Sequence, residues 1–239
     1  MNLRLPLLAM HIPDGFLSLP VCLAMGLVSL VILGIALRQV ERQFADRLVP
    51  LMGVSAAFIF AAQMINFPVL GGTSGHLLGG TLAGVLLGPW AGTLAVMVVF
   101  GVQALLFQDG GIVALGANLF NMGFVGTFLG YYLYRGLRTL LGGTSWLATA
   151  TGTAVASWVS VVTASALVAV QLALSGTVNL AVVLPTMVGV HALIGIGEAI
   201  LTVGVVSFLW RTRPDLIFEP PAPPLLEAVQ PVKESIRGR

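Results

Sequence analysis

The sequence predicts an all-α polytopic membrane protein with seven transmembrane helices. Its composition, the lengths of its uncharged runs and the positions of its basic residues together predict this fold class. Of the 239 residues, 57% are hydrophobic and 8% are charged, whereas about 25% of the residues of an ordinary soluble domain are charged. The mean hydropathy is +1.01. This composition argues against a soluble globule, a disordered chain and a nucleic-acid-binding protein.

The uncharged runs are long enough to cross a bilayer, whose core of about 30 Å takes about 20 apolar residues of helix. The runs are Leu17–Leu37, Leu48–Phe67, Leu77–Phe107, Ile112–Tyr134, Trp146–Leu174 and Met187–Trp210. The third is too long for one span and short for two. It contains Gly88-Pro89, and proline disfavours a helical conformation in the residue before it, so a turn is plausible there. Length alone leaves six and seven spans open.

The basic residues favour seven spans, because short loops rich in Lys and Arg stay in the cytoplasm. These residues follow the first, fourth and last of the runs, as Arg38, Arg42 and Arg47, then Arg135 and Arg138, then Arg211 and Arg213. If the third run crosses twice, all of them lie on one side. The prediction is therefore an N-terminus outside and a C-terminus in the cytoplasm, with Arg4 as the one basic residue on the other side.

The three histidines are sorted by this topology. His11 precedes the first span and His76 ends the loop before the third, so both are expected outside, whereas His191 lies within the last span. Histidine is the commonest metal ligand in proteins. Two histidines on one face of a chain with so few polar groups point to metal binding, although either one alone would be an ordinary loop residue.

Four segments carry a resemblance to a known family. They are Met10-His11-Ile12-Pro13-Asp14-Gly15-Phe16-Leu17, Gly72-Thr73-Ser74-Gly75-His76, Ala117–Gly123 and His191–Glu198. They resemble the CbiM/NikM family, the substrate-capture (S) components of energy-coupling-factor cobalt and nickel importers. The similarity covers about residues 10–213 and implies an S-component-like helical bundle.

The resemblance also implies a metal site made of nitrogens. The N-terminal amine of Met10, the backbone nitrogen and ring of His11, and the ring of His76 would surround one divalent ion in a nearly planar square. Such a site suits Ni²⁺ or Cu²⁺, with Co²⁺ weaker in the affinity series. Support for the loops is expected from Asp14, Ser74, Asn118 and Asn121. For Asp14 the alternatives are orienting the His11 ring and, favoured, capping the first helix.

The amine ligand requires a free amine at Met10. Residues 1–9 are therefore expected to be absent from the mature chain, either because translation begins at Met10 or because the chain is cleaved after Ala9. The interpretation is then an extension at 1–9, a seven-helix membrane domain at 10–213, and a flexible cytoplasmic tail at 214–239.

His191 and Glu198 form an intramembrane polar pair of unknown role. They are two helical turns apart on one face, about 10 Å, which is too far for a direct hydrogen bond. A polar network that fixes helix packing is the plainer interpretation. Contact with a membrane partner and a step in metal release are the alternatives.

The predicted function is a multi-pass subunit of a prokaryotic plasma membrane that captures Co²⁺ or Ni²⁺ from outside, with no organic cofactor and no enzymatic activity. The chain has no Gly-x-x-x-x-Gly-Lys-Ser/Thr loop, which phosphate binding by ATPases of that class requires. The resemblance implies two separate ATPase subunits, a transmembrane coupling (T) subunit and a small separate accessory membrane subunit. Lipid is the other expected partner, and nucleic acid is not expected.

Two alternatives stay open. The metal is cobalt for cobalamin biosynthesis, favoured slightly on resemblance, or nickel. In a different class, the chain is a structural or assembly subunit with no metal site of its own. A membrane metalloprotease is disfavoured because the sequence has no His-Glu-x-x-His motif.

Overall fold

The computed structural model describes residues 11–42, 48–64, 67–69, 73–143 and 145–219, with the backbone alone for 67–69 and 73–75. The elements are α1 (Leu19–Arg42), α2 (Leu48–Gln63), β1 (Phe67–Val69), β2 (Thr73–Gly75), α3 (Gly80–Leu106), α4 (Leu115–Asn118), a π-helical segment (Leu119–Val125), α5 (Gly126–Leu140), α6 (Trp146–Leu174), α7 (Leu180–Thr212) and a 3₁₀ turn (Pro214–Leu216). β1 and β2 pair antiparallel, with Pro68 opposite Ser74. The structure is thus predominantly helical, as predicted, with one small hairpin that the sequence did not predict.

Four of the described helices are long and apolar enough to cross a membrane, namely α1, α3, α6 and α7, and α2 is a shorter apolar helix. The segment from α4 to α5 is broken up by its π-helical turn. The membrane character is therefore confirmed at this coarser level. The count of seven spans and their orientation stay predictions.

α3 reverses direction at Gly88. The backbone of Gly88 has φ 78° and ψ 174° inside an otherwise helical stretch, and this region is open essentially to glycine alone. A Cβ on Gly92 would lie 2.8 Å from the backbone carbonyl of Ala83. Residues nine apart in one straight helix would be about 13 Å apart along the axis, so residues 80–87 and 89–106 are two arms packed side by side. The turn expected at Gly88-Pro89 is present.

The predicted span Ile112–Tyr134 differs from the observed helix in bounds and geometry. The helix begins at Leu115 and ends at Leu140, with π-helical turns from Leu119 to Val125. Residues 112–114 are instead non-helical, and their N–H groups donate to the carboxylate of Asp14. π-Helical turns often occur near functional sites. This segment directly follows Asn118, whose side chain binds the backbone of Ile12 in the N-terminal segment.

The α3 hairpin forms the centre of the bundle. It contacts α1, α2, α5, α6 and α7, and most of its residues are buried. Its first arm approaches α5 closely, because a Cβ on Gly80 would lie 2.7 Å from the backbone of Gly126. α1 is exposed over most of its length and carries large apolar side chains on that surface, as expected for a helix whose outer face is covered by lipid.

The tail begins with packed residues. The predicted flexible segment starts at residue 214, yet Ile217 is buried and the N–H of Phe218 donates to the carbonyl of Val85 at 2.8 Å. The Phe218 ring lies against Gly88, and Glu219 pairs with Arg138. The turn of α3, the end of α5 and the tail therefore meet at one end of the bundle. Residues 220–239 lie outside the described residues.

Candidate metal centre

The N-terminal segment lies against the loop that precedes α4. Asn118 binds both sides of Ile12, accepting from its N–H at 2.9 Å and donating to its carbonyl at 3.1 Å. The N–H of Gly111 donates to the same carbonyl at 2.9 Å. Ile12 itself is 2% exposed. The backbone after His11 is thus held against this loop, and Asn118, which the sequence predicted as loop support, makes two of the three hydrogen bonds to Ile12.

Asp14 has a different role from the two that were predicted. Its carboxylate accepts from the N–H groups of Ile112, Val113 and Ala114 at 2.8–3.1 Å. It therefore caps the start of α4 and not that of α1, and it does not touch the His11 ring. The physical reason is that these three N–H groups precede the first turn of a helix, where the backbone lacks internal acceptors and favours a negative charge.

His11 and His76 come together although 65 positions separate them in the sequence. Their ring centroids are 4.6 Å apart with an interplanar angle of 33°, and Phe100 packs edge-on against the His11 ring at 5.2 Å. Both histidines are buried, at 3% and 5% exposure. The Nε2 atom of each ring is buried and has no hydrogen-bond partner among the described residues. Buried polar atoms ordinarily have a partner, so these two nitrogens are available to a ligand.

The two rings are oriented through their Nδ1 atoms. Nδ1 of His76 lies 2.8 Å from the carbonyl of Leu77, and a carbonyl only accepts, so this nitrogen carries the proton. Burial, followed by the nearby His11, lowers the pKa of His76 to about 4, which leaves the ring neutral at pH 7. A neutral ring with its proton on Nδ1 has a lone pair on Nε2. His76 is therefore in the form that binds a metal ion.

Asp109 orients His11, and the sequence interpretation missed it. Its Oδ1 lies 2.9 Å from Nδ1 of His11. This hydrogen bond is the main cause that lowers the pKa of Asp109 from its usual value, so the carboxylate is ionised and Nδ1 donates. Metal-binding histidines commonly donate their other nitrogen to a carboxylate. The sequence did contain a signal for this role. Asp109 is one of only nine acidic residues in the chain, and it stands beside Gly110-Gly111 in a loop predicted to be external, on the same side as the two histidines.

The structure brings two candidate side-chain ligands together, His11 and His76. Among the described residues, no three His, Cys, Asp or Glu side chains form a group able to hold a metal ion. Backbone nitrogens and a terminal amine are the further ligands that the sequence predicts. Met10 lies outside the described residues, and for Ser74 only the backbone position in β2 is described. The four-nitrogen arrangement therefore stays a prediction.

The other predicted polar residues divide between two places. Asn121 exchanges two hydrogen bonds of 2.8 Å with Gln171 on α6, so it faces α6 and not the N-terminal segment. It lies inside the π-helical segment that begins directly after Asn118, so the two residues do not have the regular α-helical spacing that the sequence predicted. His191 uses Nδ1 on the carbonyl of Met187 at 2.7 Å. Glu198 binds the backbone N–H groups of Leu78 and Gly79. His191 and Glu198 thus have separate partners and do not form a pair.

Comparison with known proteins identifies the family of this chain. The family model described as "cobalt uptake substrate-specific transmembrane region", CbiM, matches residues 11–216. A protein of Archaeoglobus fulgidus named putative fused nickel transport protein NikMN is 42% identical over 216 residues, which cover 90% of this chain and 70% of that protein. The cobalt transport protein CbiM of Sorangium cellulosum is 32% identical over 213 residues, covering 87% and 94%.

A solved structure shares the fold. The crystal structure of a transition metal transporter superposes with a TM-score of 0.77 at 36% identity, covering 84% of this chain and 92% of that one. The region that the family model matches, residues 11–216, includes both buried histidines. The chain therefore belongs to the CbiM family and is a transition-metal transport protein of the membrane.

Proposed function

We propose that this chain is the subunit of an energy-coupling-factor importer that captures Co²⁺ or Ni²⁺ outside the cell. The observation that carries the proposal is the buried pair of imidazoles, 4.6 Å apart, whose Nε2 atoms lack partners. The N-terminal segment covers one side of this pair. Burial without a partner is costly for a polar nitrogen, and a bound transition metal removes that cost.

The proposed ligands are His76 through Nε2, the ring and backbone nitrogen of His11, and the amine of Met10. A six-membered chelate from the His11 backbone nitrogen closes only through Nδ1 of its own ring. That atom donates to Asp109 at 2.9 Å, so metal capture requires the His11 ring to turn about its Cβ–Cγ bond. The set also requires a mature chain that begins at Met10, which the intact mass of the purified protein tests.

The proposed topology is multi-pass in a prokaryotic plasma membrane, with seven spans and the metal site outside. The reversal at Gly88 supports two crossings by the α3 hairpin. Energy for transport would come from two ATPase subunits acting through a transmembrane coupling subunit, with a small accessory membrane subunit as a further partner.

Substitution of the histidines tests the metal site. His11→Ala and His76→Ala are each expected to abolish Ni²⁺ and Co²⁺ binding, measured by isothermal titration of the purified full chain in detergent. His191→Ala is the matched control, because it is a third buried histidine with an unpartnered Nε2 but is not in ring contact with the pair. It is expected to bind nearly as tightly as the wild type. Retained binding in either of the first two variants would refute the site.

The same samples distinguish the alternative of a structural subunit without a metal site. A bound ion at one hundred times its dissociation constant stabilises a protein by about 2.7 kcal/mol. The thermal midpoint of the wild type is therefore expected to rise with Ni²⁺ or Co²⁺ and to fall back on chelation, and neither change is expected in the His76→Ala variant. Competition between the two metals identifies the preferred cargo.

A further inference from the structure

We propose that Glu198, deep in α7, is a positioning residue that holds His76 in its metal-binding tautomer through the Leu77–Leu78 peptide group. The inference rests on the proposed function only for its metal-affinity consequence. The hydrogen-bond chain that carries it belongs to the metal-free protein.

Glu198 is fully engaged with the backbone that follows His76. Its Oε2 accepts from the N–H of Leu78 at 2.8 Å and its Oε1 from the N–H of Gly79 at 2.7 Å. The residue is 1% exposed. A carboxylate in the membrane interior is costly unless it has a specific partner, and here the partners are two N–H groups at the start of the first arm of α3. This side chain thus has one evident task, which is to hold that backbone.

One peptide group joins Glu198 to the His76 ring. The N–H of Leu78 donates to Glu198 at 2.8 Å, and the carbonyl on the other side of the same peptide, that of Leu77, accepts from Nδ1 of His76 at 2.8 Å. Hydrogen bonds in such a chain polarise one another. The carboxylate therefore makes the Leu77 carbonyl a better acceptor, which favours the proton on Nδ1 and a lone pair on Nε2.

Neighbouring contacts keep this peptide in place. Nε2 of Gln63 donates to the Leu78 carbonyl at 2.6 Å, and Nε2 of Gln103 donates to Oε1 of Gln63 at 2.8 Å. Gly79 has φ 75°, and a Cβ there would lie 2.6 Å from a methyl of Ile59. The segment after His76 is thus fixed from α2, α3 and α7, and Glu198 is the only carboxylate among these contacts.

In the metal-free protein, His11 and His76 are oriented in parallel ways. His11 donates from Nδ1 directly to a carboxylate, that of Asp109. His76 donates from Nδ1 to a peptide carbonyl whose N–H is bound by a carboxylate. Carboxylates behind metal-binding histidines fix the ring and raise its basicity, and their loss typically lowers metal affinity about 10–100-fold. Glu198 extends this arrangement by one peptide group.

The test combines ring tautomer and metal affinity in the full chain. With only three histidines in the sequence, ¹⁵N-histidine labelling gives a spectrum in which His76 is assigned by its loss in His76→Ala. The wild type is expected to hold His76 as the Nδ1–H tautomer. Glu198→Gln replaces one acceptor oxygen by an amide NH₂, so it is expected to reduce that tautomer and to raise the Ni²⁺ dissociation constant at least about 10-fold. Thr202→Val is the matched control, one helical turn further on α7, buried and without a hydrogen-bond partner for its hydroxyl.

Failure of the Glu198 proposal and failure of the proposed function give different results. An Nε2–H tautomer of His76 in the wild type overturns the inference without any variant, so a Glu198→Gln protein that fails to fold does not protect it. Unchanged tautomer and unchanged affinity in folded Glu198→Gln also overturn it, because a merely structural role would alter the folded yield and not these two quantities. If His76→Ala binds metal normally, the proposed function fails, while the tautomer result still decides the role of Glu198.

Discussion

Asp109 lies in the loop between α3 and α4 with its side chain 40% exposed, yet it makes the hydrogen bond that sets the direction of the buried His11 ring. Its neighbourhood explains how an exposed loop residue reaches a buried ring. The N–H of Asp109 donates to the carbonyl of Gln103 at 3.0 Å, so the loop folds back onto the end of α3 and turns the carboxylate inward.

Replacing Asp109 by Asn is expected not to weaken Ni²⁺ binding, because capture through Nδ1 of His11 breaks the hydrogen bond to Asp109 and a neutral amide oxygen is a weaker competitor for that nitrogen than a carboxylate. Isothermal titration of the purified chain measures the effect. Asp215→Asn is a matched control, since it removes a carboxylate from an exposed pair with Arg213 at the other end of the bundle. A dissociation constant raised about 10-fold or more in the Asp109 variant would contradict ligation through Nδ1, because it would mean that Asp109 keeps its hydrogen bond to His11 while the metal is bound.

Some residues of the candidate site could be predicted from the sequence, and others could not. His11 and His76 follow from residue type, predicted topology and resemblance. Asp14 was selected correctly as a polar residue of the N-terminal segment, but its partners were not, because the loop at 112–114 is distant in sequence and had been taken as the start of a helix. Gln63 and Glu198 bind the backbone after His76, and no spacing rule connects them to it.

Among the elements, the α3 hairpin departs most from regular helix geometry. A proline after a glycine predicts a break, but the sharpness of the reversal depends on the ψ of 174° at Gly88. The Phe218 ring occupies the space beside this glycine, with ring atoms 2.8–2.9 Å from an ideal Cβ. The turn of α3 is thus covered by the segment that contains Phe218, which lies more than a hundred residues later in the chain.

Gly88→Ala is expected to destabilise the protein by about 1–3 kcal/mol from backbone strain alone, with a further loss from displacement of Phe218. Thermal unfolding in detergent measures it. Gly204→Ala in α7 is the control, because no atom lies within 4 Å of its Cβ position and alanine in a helix interior is favoured by about 0.5–1 kcal/mol. Equal midpoints for the two variants would contradict the strained turn.

Two groups of polar residues lie at opposite ends of the helical bundle. His11, His76 and Asp109 lie at one end, beside the loop in which Thr177 donates to the carbonyl of Phe16 at 2.5 Å. Arg138, Trp210 and Glu219 lie at the other, where the guanidinium of Arg138 contacts both of the others. The two ends are joined by α6 and α7, each long enough to cross a bilayer.

Single-cysteine labelling is expected to assign the ends to the two sides of the membrane. Cys22 is the sole cysteine of the chain and is buried, so Cys22→Ala gives a background without thiols. In it, Thr177→Cys is expected to react with an impermeant maleimide in intact cells, and Leu141→Cys only after permeabilisation. The reverse pattern would contradict the predicted topology, because it requires either a single crossing by the α3 hairpin or the opposite orientation of the whole bundle.

The sequence alone was sufficient for the membrane class, for most helix positions and for the break at Gly88-Pro89, because scarcity of charge and the conformational limits of proline act locally. It also selected both histidines of the site. Only the tertiary structure decided how those histidines are held, since Asp109 binds the His11 ring, while Asn118 and Glu198 bind the backbone that follows His11 and His76 from helices far along the chain. Hydrogen bonds between distant segments leave no periodicity in the sequence, and they depend on how the α3 hairpin, α7 and the N-terminal segment pack together.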